Sequence, residues 1–308
     1  MPFITQTFLV QKEQKAFLWL MRTFGYSQKE AQKILDKGWL SQRGRGVTKA
    51  ECICAEVELL HFVPQRLFLK KLLLTPSFVV YDKPPELLTH PRNTQGGLSV
   101  CDELKSEFGR EANPAHRLDA LTSGILVCSI NKKKEGNLKG LFERGEVKKT
   151  YQALIKGELK EEILIDAPIL SPKAEGKFID LKIRSMISPK GKSAQTLIRP
   201  LCINNGVSLI EAYPLTGRTH QIRLHLAYLG MPILGDPLYG CDDVYSREFL
   251  DTALCMQKRK EYFGMERLAL HASRIEFEFE GEKIVVESEP TFQDPSSFDT
   301  NLSNLREY

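Results

Sequence analysis

One run of the chain, Ile275-Glu276-Phe277-Glu278-Phe279-Glu280, alternates large apolar and acidic residues without a break, and no other stretch restricts the fold so tightly. A period of two puts Ile275, Phe277 and Phe279 on one face of a strand and the glutamates on the other, which suits a sheet with one covered and one wet face. Glu280-Gly281 then breaks the run over 271–286 into a hairpin. Further strand-like runs lie at 78–82, 125–130, 151–156, 163–166, 194–202 and 207–213. Helical patterns fall near 99–108, 133–144 and 218–229, and in the last of these Ile222, Leu226 and Leu229 share a face. Many strands with few, irregularly placed helices predict an α+β fold with a largely antiparallel sheet rather than a doubly wound parallel one.

The front of the chain reads as a separate, α-rich unit. Phe17, Leu20, Met21 and Phe24 recur at helical spacing, and Gly25 ends that helix. Ser27 then caps a second helix, with Glu30 completing a capping box, Ala31, Ile34 and Leu35 giving the apolar face, and Gly38 stopping it. Ile53 to Leu59 alternates like a half-buried strand. The expected organisation is a small domain over 1–63, a linker over 64–76, a main domain over 77–290 and a polar, loosely ordered tail over 291–308. Lys29, Lys33 and Lys37 recur every four residues and so share one stripe, and Arg43 and Arg45 stand in a glycine-rich turn nearby. Residues 1–50 hold nine Lys or Arg against three acids, whereas 271–308 hold three against nine. The net charge of +4 is therefore polarised, with a basic front of the kind that faces a polyanion.

Composition narrows the class further. A chain of 308 residues that is 42% hydrophobic and 27% charged is an ordinary globular composition. No apolar run approaches the ~20 residues that span a bilayer, so no membrane is expected. The first residues lack a secretion signal, and seven cysteines without framework spacing favour a reducing compartment, hence the cytoplasm. Cys52 and Cys54 have no second Cys or His pair nearby, and His220 and His225, five apart, fall on different faces. Gly191-Lys192-Ser193 ends like a phosphate-binding loop, but Met186 stands where that loop needs glycine. No metal and no cofactor are expected.

The chemistry is expected around His116-Arg117-Leu118-Asp119, an acid and bases ahead of the small-residue turn Thr122-Ser123-Gly124 and the apolar run Ile125-Leu126-Val127. Asp119 would then stand at a strand end. About a hundred residues later come Gly217-Arg218-Thr219-His220-Gln221-Ile222-Arg223 and Leu229-Gly230-Met231-Pro232-Ile233-Leu234-Gly235-Asp236-Pro237-Leu238-Tyr239-Gly240. Tyr81-Asp82-Lys83-Pro84-Pro85 with His90-Pro91 lies upstream, and Lys148-Lys149-Thr150-Tyr151 lies between. Read without reference to any family, His116 and Asp119 could also be two-thirds of a hydrolase triad with Ser123, or the chain could be a non-catalytic RNA-binding protein.

Together these segments, in this order over roughly 78–275, resemble the RluA-type pseudouridine synthase family, whose motifs have the form HRLDxxTSG and GRTHQIRxHLxxLGxPIxGDxxYG. The resemblance implies a pseudouridine synthase fold, with a mixed central sheet, flanking helices and a cleft across the sheet. It implies isomerisation of uridine to pseudouridine within RNA. Asp119 corresponds to the family's catalytic aspartate, Arg223 to its salt-bridge partner, and Tyr151 to the tyrosine that packs on the uracil and handles the proton lost from its fifth carbon. Arg117 matches the residue that enters the RNA stack when the base flips out. His116, Arg218 and His220, in the same motifs, are expected to touch RNA. Whether Asp119 works through a glycal or a covalent adduct stays open at this point. The front unit resembles, in part, the small RNA-binding domain named for ribosomal protein S-four, which implies RNA contacts from Lys29, Lys33, Lys37, Arg43 and Arg45. The implied partner is RNA, large-subunit ribosomal RNA first and transfer RNA second, with the enzyme acting as a monomer.

Overall fold

The computed structural model describes residues 3–91, 97–172 and 183–292. The chain divides into two units, Met1–Leu67 with Pro91–Leu98, and Phe68–His90 with Ser99–Tyr308.

In the first unit β1 (Phe3–Lys15) leads into α1 (Ala16–Phe24), α2 (Gln28–Asp36), β2 (Leu40–Gln42), β3 (Arg45–Gly46) and β4 (Cys52–Phe62). The strands form an antiparallel sheet in the order β1-β4-β2-β3. The capping box forms as the sequence predicts: Ser27 Oγ accepts from the Glu30 N–H, and the Glu30 carboxylate accepts from the Ser27 N–H at 2.8 Å. Leu20, Ala31, Leu35, Ile53, Val57 and Leu59 close a core between the helices and the sheet. Four strands make this unit richer in sheet than the α-rich domain expected from its pattern. Of the thirteen residues of β1 only Val10 is buried, so no alternation marks it as a strand.

The second unit runs β5 (Lys71–Leu74), β6 (Phe78–Lys83), α3 (Val100–Phe108), β7 (Asn113–Pro114), β8 (Ser123–Ser129), α4 (Lys132–Arg144), β9 (Lys148–Lys156), β10 (Ile163–Asp166), β11 (Ile169–Leu170), β12 (Met186–Ile187), β13 (Gln195–Asn204), β14 (Val207–Pro214), α5 (Gln221–Tyr228), α6 (Asp243–Asp251), α7 (Met256–Phe263), β15 (Leu270–Phe279) and β16 (Glu282–Glu287). The main sheet has the order β10-β13-β14-β9-β15-β8-β6-β5, with β16 added to β15 and β7 to β8. Its pairings are antiparallel except β15 with β8, where His271 and Ala272 meet Ser123 and Gly124 in parallel. The sheet is thus mixed and largely antiparallel, as expected. The stretch expected to be a linker, 64–76, contains β5, which pairs with β6 and forms one edge of the sheet. Lys71-Leu72-Leu73-Leu74 is short and only half-buried, a weak signal for a strand. The tail expected to be loose lies, from residue 293 on, outside the described residues.

The alternating run is β15. Ile275, Phe277 and Phe279 are buried, and Phe277 and Phe279 pack against Phe78 of β6 with ring centroids 5.7 and 5.6 Å apart. Every residue of β8 is buried, which places this strand deep in the sheet. Gly124 permits the parallel contact: its φ is +105°, and a Cβ there would lie 2.4 Å from the carbonyl oxygen of Ala272. β15 lies between β9 and β8, so the residues just before β8 enter the sheet beside it.

Candidate active site

Asp119 sits in the turn that enters β8, and that turn is fixed on both sides. Before it, the Leu118 N–H donates to Thr89 Oγ1 at 3.1 Å, and the Thr89 hydroxyl donates to the Leu118 carbonyl at 2.9 Å. After it, the Lys83 ammonium donates to the carbonyl of Ala120 at 3.0 Å and to those of Pro84 and Leu87 at 2.9 Å. Lys83 is fully buried; burial pushes it down to about 7, with Asp119 pulling the other way. Three carbonyls take up its three donors and tie the end of β6 to the turn that carries Asp119.

The second segment is fixed by Gln221 at the start of α5. Its carbonyl oxygen accepts from Thr216 Oγ1 at 2.7 Å and from the Arg218 N–H at 3.0 Å, while its amide donates to the Gln195 carbonyl at 2.9 Å. That clamp folds Gly217 to His220 into a turn on β13, so α5 begins at Gln221 rather than near 218 as the sequence suggests. His220 precedes the helix in a left-handed conformation, φ 58°.

Arg223, in the first turn of α5, joins the two segments. Its Nη1 donates to Asp119 Oδ2 at 3.4 Å, while Nε and Nη2 form a two-pronged pair with Asp236, both at 2.7 Å. The Asp236 carboxylate also accepts from the N–H groups of Leu238 and Tyr239, at 2.8 and 3.1 Å. Arg223 and Asp236 are 2% and 1% exposed, whereas Asp119 is 22% exposed. Burial works against the Arg223 charge, but Asp236 first and then Asp119 outweigh it and hold the guanidinium charged. The buried partner of Arg223 is therefore Asp236, and Asp119 takes the remaining edge of the guanidinium and faces a cavity.

That cavity, about 730 Å³, is lined by His116, Arg117, Asp119, Tyr151, Arg218, His220 and Arg223 among others. Tyr151 comes from β9; burial, and then the negative Asp119, push its phenol above the ordinary value, so it is protonated at neutral pH. Arg117 is exposed, and among the described residues it has no side-chain partner. Arg218 donates to the Ser193 carbonyl at 3.0 Å. His220 Nε2 lies 3.8 Å from Asp119 Oδ2, and Nδ1 meets the Tyr239 hydroxyl at 3.0 Å. Burial and then Arg223 lower His220 to about 4, so its ring is neutral.

Two expectations change. His116, expected to touch RNA, accepts at Nε2 from the Val127 N–H at 3.0 Å, and its ring stacks on Phe142 at 4.3 Å. Burial and then the charge of Lys149 hold it at about 3, so it is a neutral wall of the cavity with no charge for a phosphate. The hydrolase arrangement is absent: the Ser123 hydroxyl meets His271 Nδ1 at 2.9 Å rather than His116, and His271 Nε2 meets the Ser288 hydroxyl at 3.1 Å, not an acid. Ser123 and His271 are both buried away from solvent.

In the first unit Lys29, Lys33 and Arg43 are exposed and, among the described residues, have no side-chain partner. Lys37 lies over the Trp39 ring at 4.7 Å, and Arg45 pairs with Glu51 at 3.0 Å. Only part of the expected basic stripe is unengaged.

Sequence reasoning misses Asp236, Lys83 and Thr89 as site residues. Asp236 and Lys83 stand inside segments that read as motifs, yet nothing in a linear pattern says that one is the buried counterion of Arg223 and the other a tether for the turn after Asp119.

Residues 77–228 match the family model for RNA pseudouridylate synthase. The chain is 42% identical over 283 residues to an uncharacterized RNA pseudouridine synthase of Helicobacter pylori (strain ATCC 700392 / 26695), covering 91% of this chain and 92% of the relative. It is 33% identical over 212 residues to tRNA pseudouridine synthase C of Vibrio cholerae serotype O1, covering 65% and 81% respectively. Among solved structures it is similar to human RNA pseudouridylate synthase domain containing 1, with a TM-score of 0.58 and 26% identity over 74% of this chain and 85% of that one.

Proposed function

Because the chain belongs to the RNA pseudouridine synthase family of isomerases, we propose that Asp119 is its catalytic aspartate and that it converts specific uridines in structured RNA. The observation that carries this reading is the Asp119 carboxylate, held 3.4 Å from the buried Arg223 guanidinium and turned to a cavity that Tyr151 also lines. The cavity has room for one nucleotide swung out of its stack.

In the reaction the glycosidic C–N bond breaks, the uracil turns, and a C–C bond forms between the sugar and the fifth carbon of the ring. The proton which that carbon loses passes by way of solvent to the ring nitrogen that left the sugar, so that product and substrate are isomers. Asp119 takes a ribose proton as the uracil leaves, giving a glycal, and returns it when the new bond forms. A base and electrostatic stabiliser suffices for this route, and no covalent adduct is needed. Arg223 fixes the carboxylate in place, and Asp236 fixes Arg223. Tyr151, protonated, packs on the uracil and donates a hydrogen bond; in the resting site it is not the base that collects the proton from the fifth carbon. Arg117, exposed and without a side-chain partner among the described residues, fills the gap left by the flipped base.

The first unit holds RNA through Lys29, Lys33 and Arg43. We assign large-subunit ribosomal RNA as the target; the name of the Vibrio cholerae relative favours transfer RNA as the second reading. Mapping pseudouridine in total RNA from cells with and without the protein tests both. The Asp119→Asn variant is expected to form no product while binding RNA within a few-fold of wild type, and measurable turnover by it refutes the assignment.

A further inference from the structure

Resting on the reading of this chain as an enzyme that turns a uridine within an RNA strand, we propose that Lys149 binds a backbone phosphate of that strand at the cavity wall. Lys149 lies two residues before Tyr151 on β9, so both side chains leave the same face of the strand, and both line the cavity. The other cations of the wall are largely engaged. Lys139 pairs with Glu135 at 2.6 Å, and Arg144 with Glu146 at 2.6 and 2.8 Å. Arg218 is bound to the Ser193 carbonyl, and Arg223 to Asp236 and Asp119.

Among the described cations of the wall, that leaves Arg117 and Lys149 without a side-chain hydrogen bond or ion pair. They differ in setting. Arg117 is exposed to water, whereas Lys149 is half-buried, and burial holds its ammonium below the usual lysine range. A cation that has shed part of its water without gaining a partner is unfavourable, and an incoming anion relieves that cost. The carboxylates of the same wall, Asp119 and Glu143, make no ion pair with it among the described residues, and His116 beside it is neutral. Of the parts of a uridine nucleotide, base and ribose are neutral and only the phosphodiester carries a full negative charge. A lysine ammonium, a compact point charge with three donors, suits a non-bridging phosphate oxygen. Tyr151 and Lys149 would then divide one nucleotide between them, the phenol against the base and the ammonium on its phosphate.

The test uses the full-length chain with a single-stranded oligouridylate as probe, its binding followed by fluorescence anisotropy across a potassium chloride series. The Lys149→Met variant keeps the apolar stem and removes the charge. It is expected to bind about three- to tenfold more weakly at moderate salt, with a log–log salt slope shallower by about 0.7, the share of one phosphate on a single strand. Lys149→Arg is expected to restore the slope. Lys149→Gln, read the same way, serves if the methionine variant does not fold by circular dichroism. A folded variant with wild-type slope overturns the proposal. So does a fall in turnover at unchanged slope, which would put the ammonium on the uracil carbonyls instead. Failure of the wild type to form any pseudouridine would overturn the functional reading, and the slope would still decide the role of Lys149.

Discussion

At the scale of single residues, the pair that matters most for stability is Arg223 with Asp236, not Arg223 with Asp119. Both members are nearly inaccessible, and Asp236 also organises the N–H groups of Leu238 and Tyr239. Arg223→Ala strands a buried carboxylate, and the expected cost is about 3–5 kcal/mol in urea unfolding, with activity lost as well. Asp236→Ala should cost a similar amount, and the double variant less than the sum, because either change alone leaves one buried charge unpaired. Additive losses would show that the pair is not coupled. Three histidines give the molecule an acid sensitivity of defined sign. Burial, the first cause in each case, holds His116 at about 3 and His220 and His271 at about 4, against an ordinary 6.5. Between those values the unfolded chain binds more protons than the folded one, so stability falls as pH drops from about 6.5 towards 4. Each such histidine contributes about 1.4 kcal/mol per pH unit across its window. Replacing His116 with Gln should flatten the dependence of melting temperature on pH over this range, and an unchanged profile would contradict its neutral, buried assignment.

At the scale of elements, the site depends on how closely β8 and β15 approach. Gly124→Ala meets both a left-handed backbone and the Ala272 carbonyl, and a cost of about 2 kcal/mol corresponds to a fall of roughly 4–8 °C in Tm. Gly136, exposed within α4, is the opposite case: a Cβ added there meets nothing within 4 Å. Gly136→Ala should therefore stabilise by about 0.5–1 kcal/mol, since a helix interior favours alanine. Thermal melts of the two variants side by side check both signs. The turn carrying Asp119 is tethered by Thr89 and Lys83 from outside its own strand, and the turn carrying His220 is held on β13 by Gln221. Neither turn has a conformation dictated by its own residues alone.

At the scale of the whole molecule, the boundary between the units decides what a truncation can remove. β5 starts at Lys71 and forms an edge of the main sheet, so a cut placed inside the expected linker near 76 would expose β6 as an unpaired edge. Removal of residues 1–62 leaves β5 in place and should give a soluble unit that keeps Asp119, Tyr151 and Arg223. Its binding to long structured RNA should weaken, with a salt slope shallower by about 0.9 for each duplex phosphate that is no longer neutralised. Lys29, Lys33 and Arg43 are the residues expected to account for it; equal affinity and equal slope would leave the basic front without a role in binding.

The strands β4, β6, β8, β9, β10 and β13 to β16, the α+β class and the segments that form the site could be read from the sequence, because a period of two and a capping box are local signals that survive folding unchanged, whereas β1 and β5 carried no such signal. So could the meeting of Asp119 with Arg223, though only through resemblance to a family and not through spacing. What tertiary structure alone decided was which group each buried charge faces. Asp236 lies 13 residues after Arg223 and Lys83 lies 37 before Ala120, yet the packing of sheet and helix brings each pair within hydrogen-bond distance. It also neutralised His116 and His220 by burial, and it turned a linker into an edge strand. Partner choice and protonation depend on distance and on excluded water, and neither is written in the order of residues along a chain.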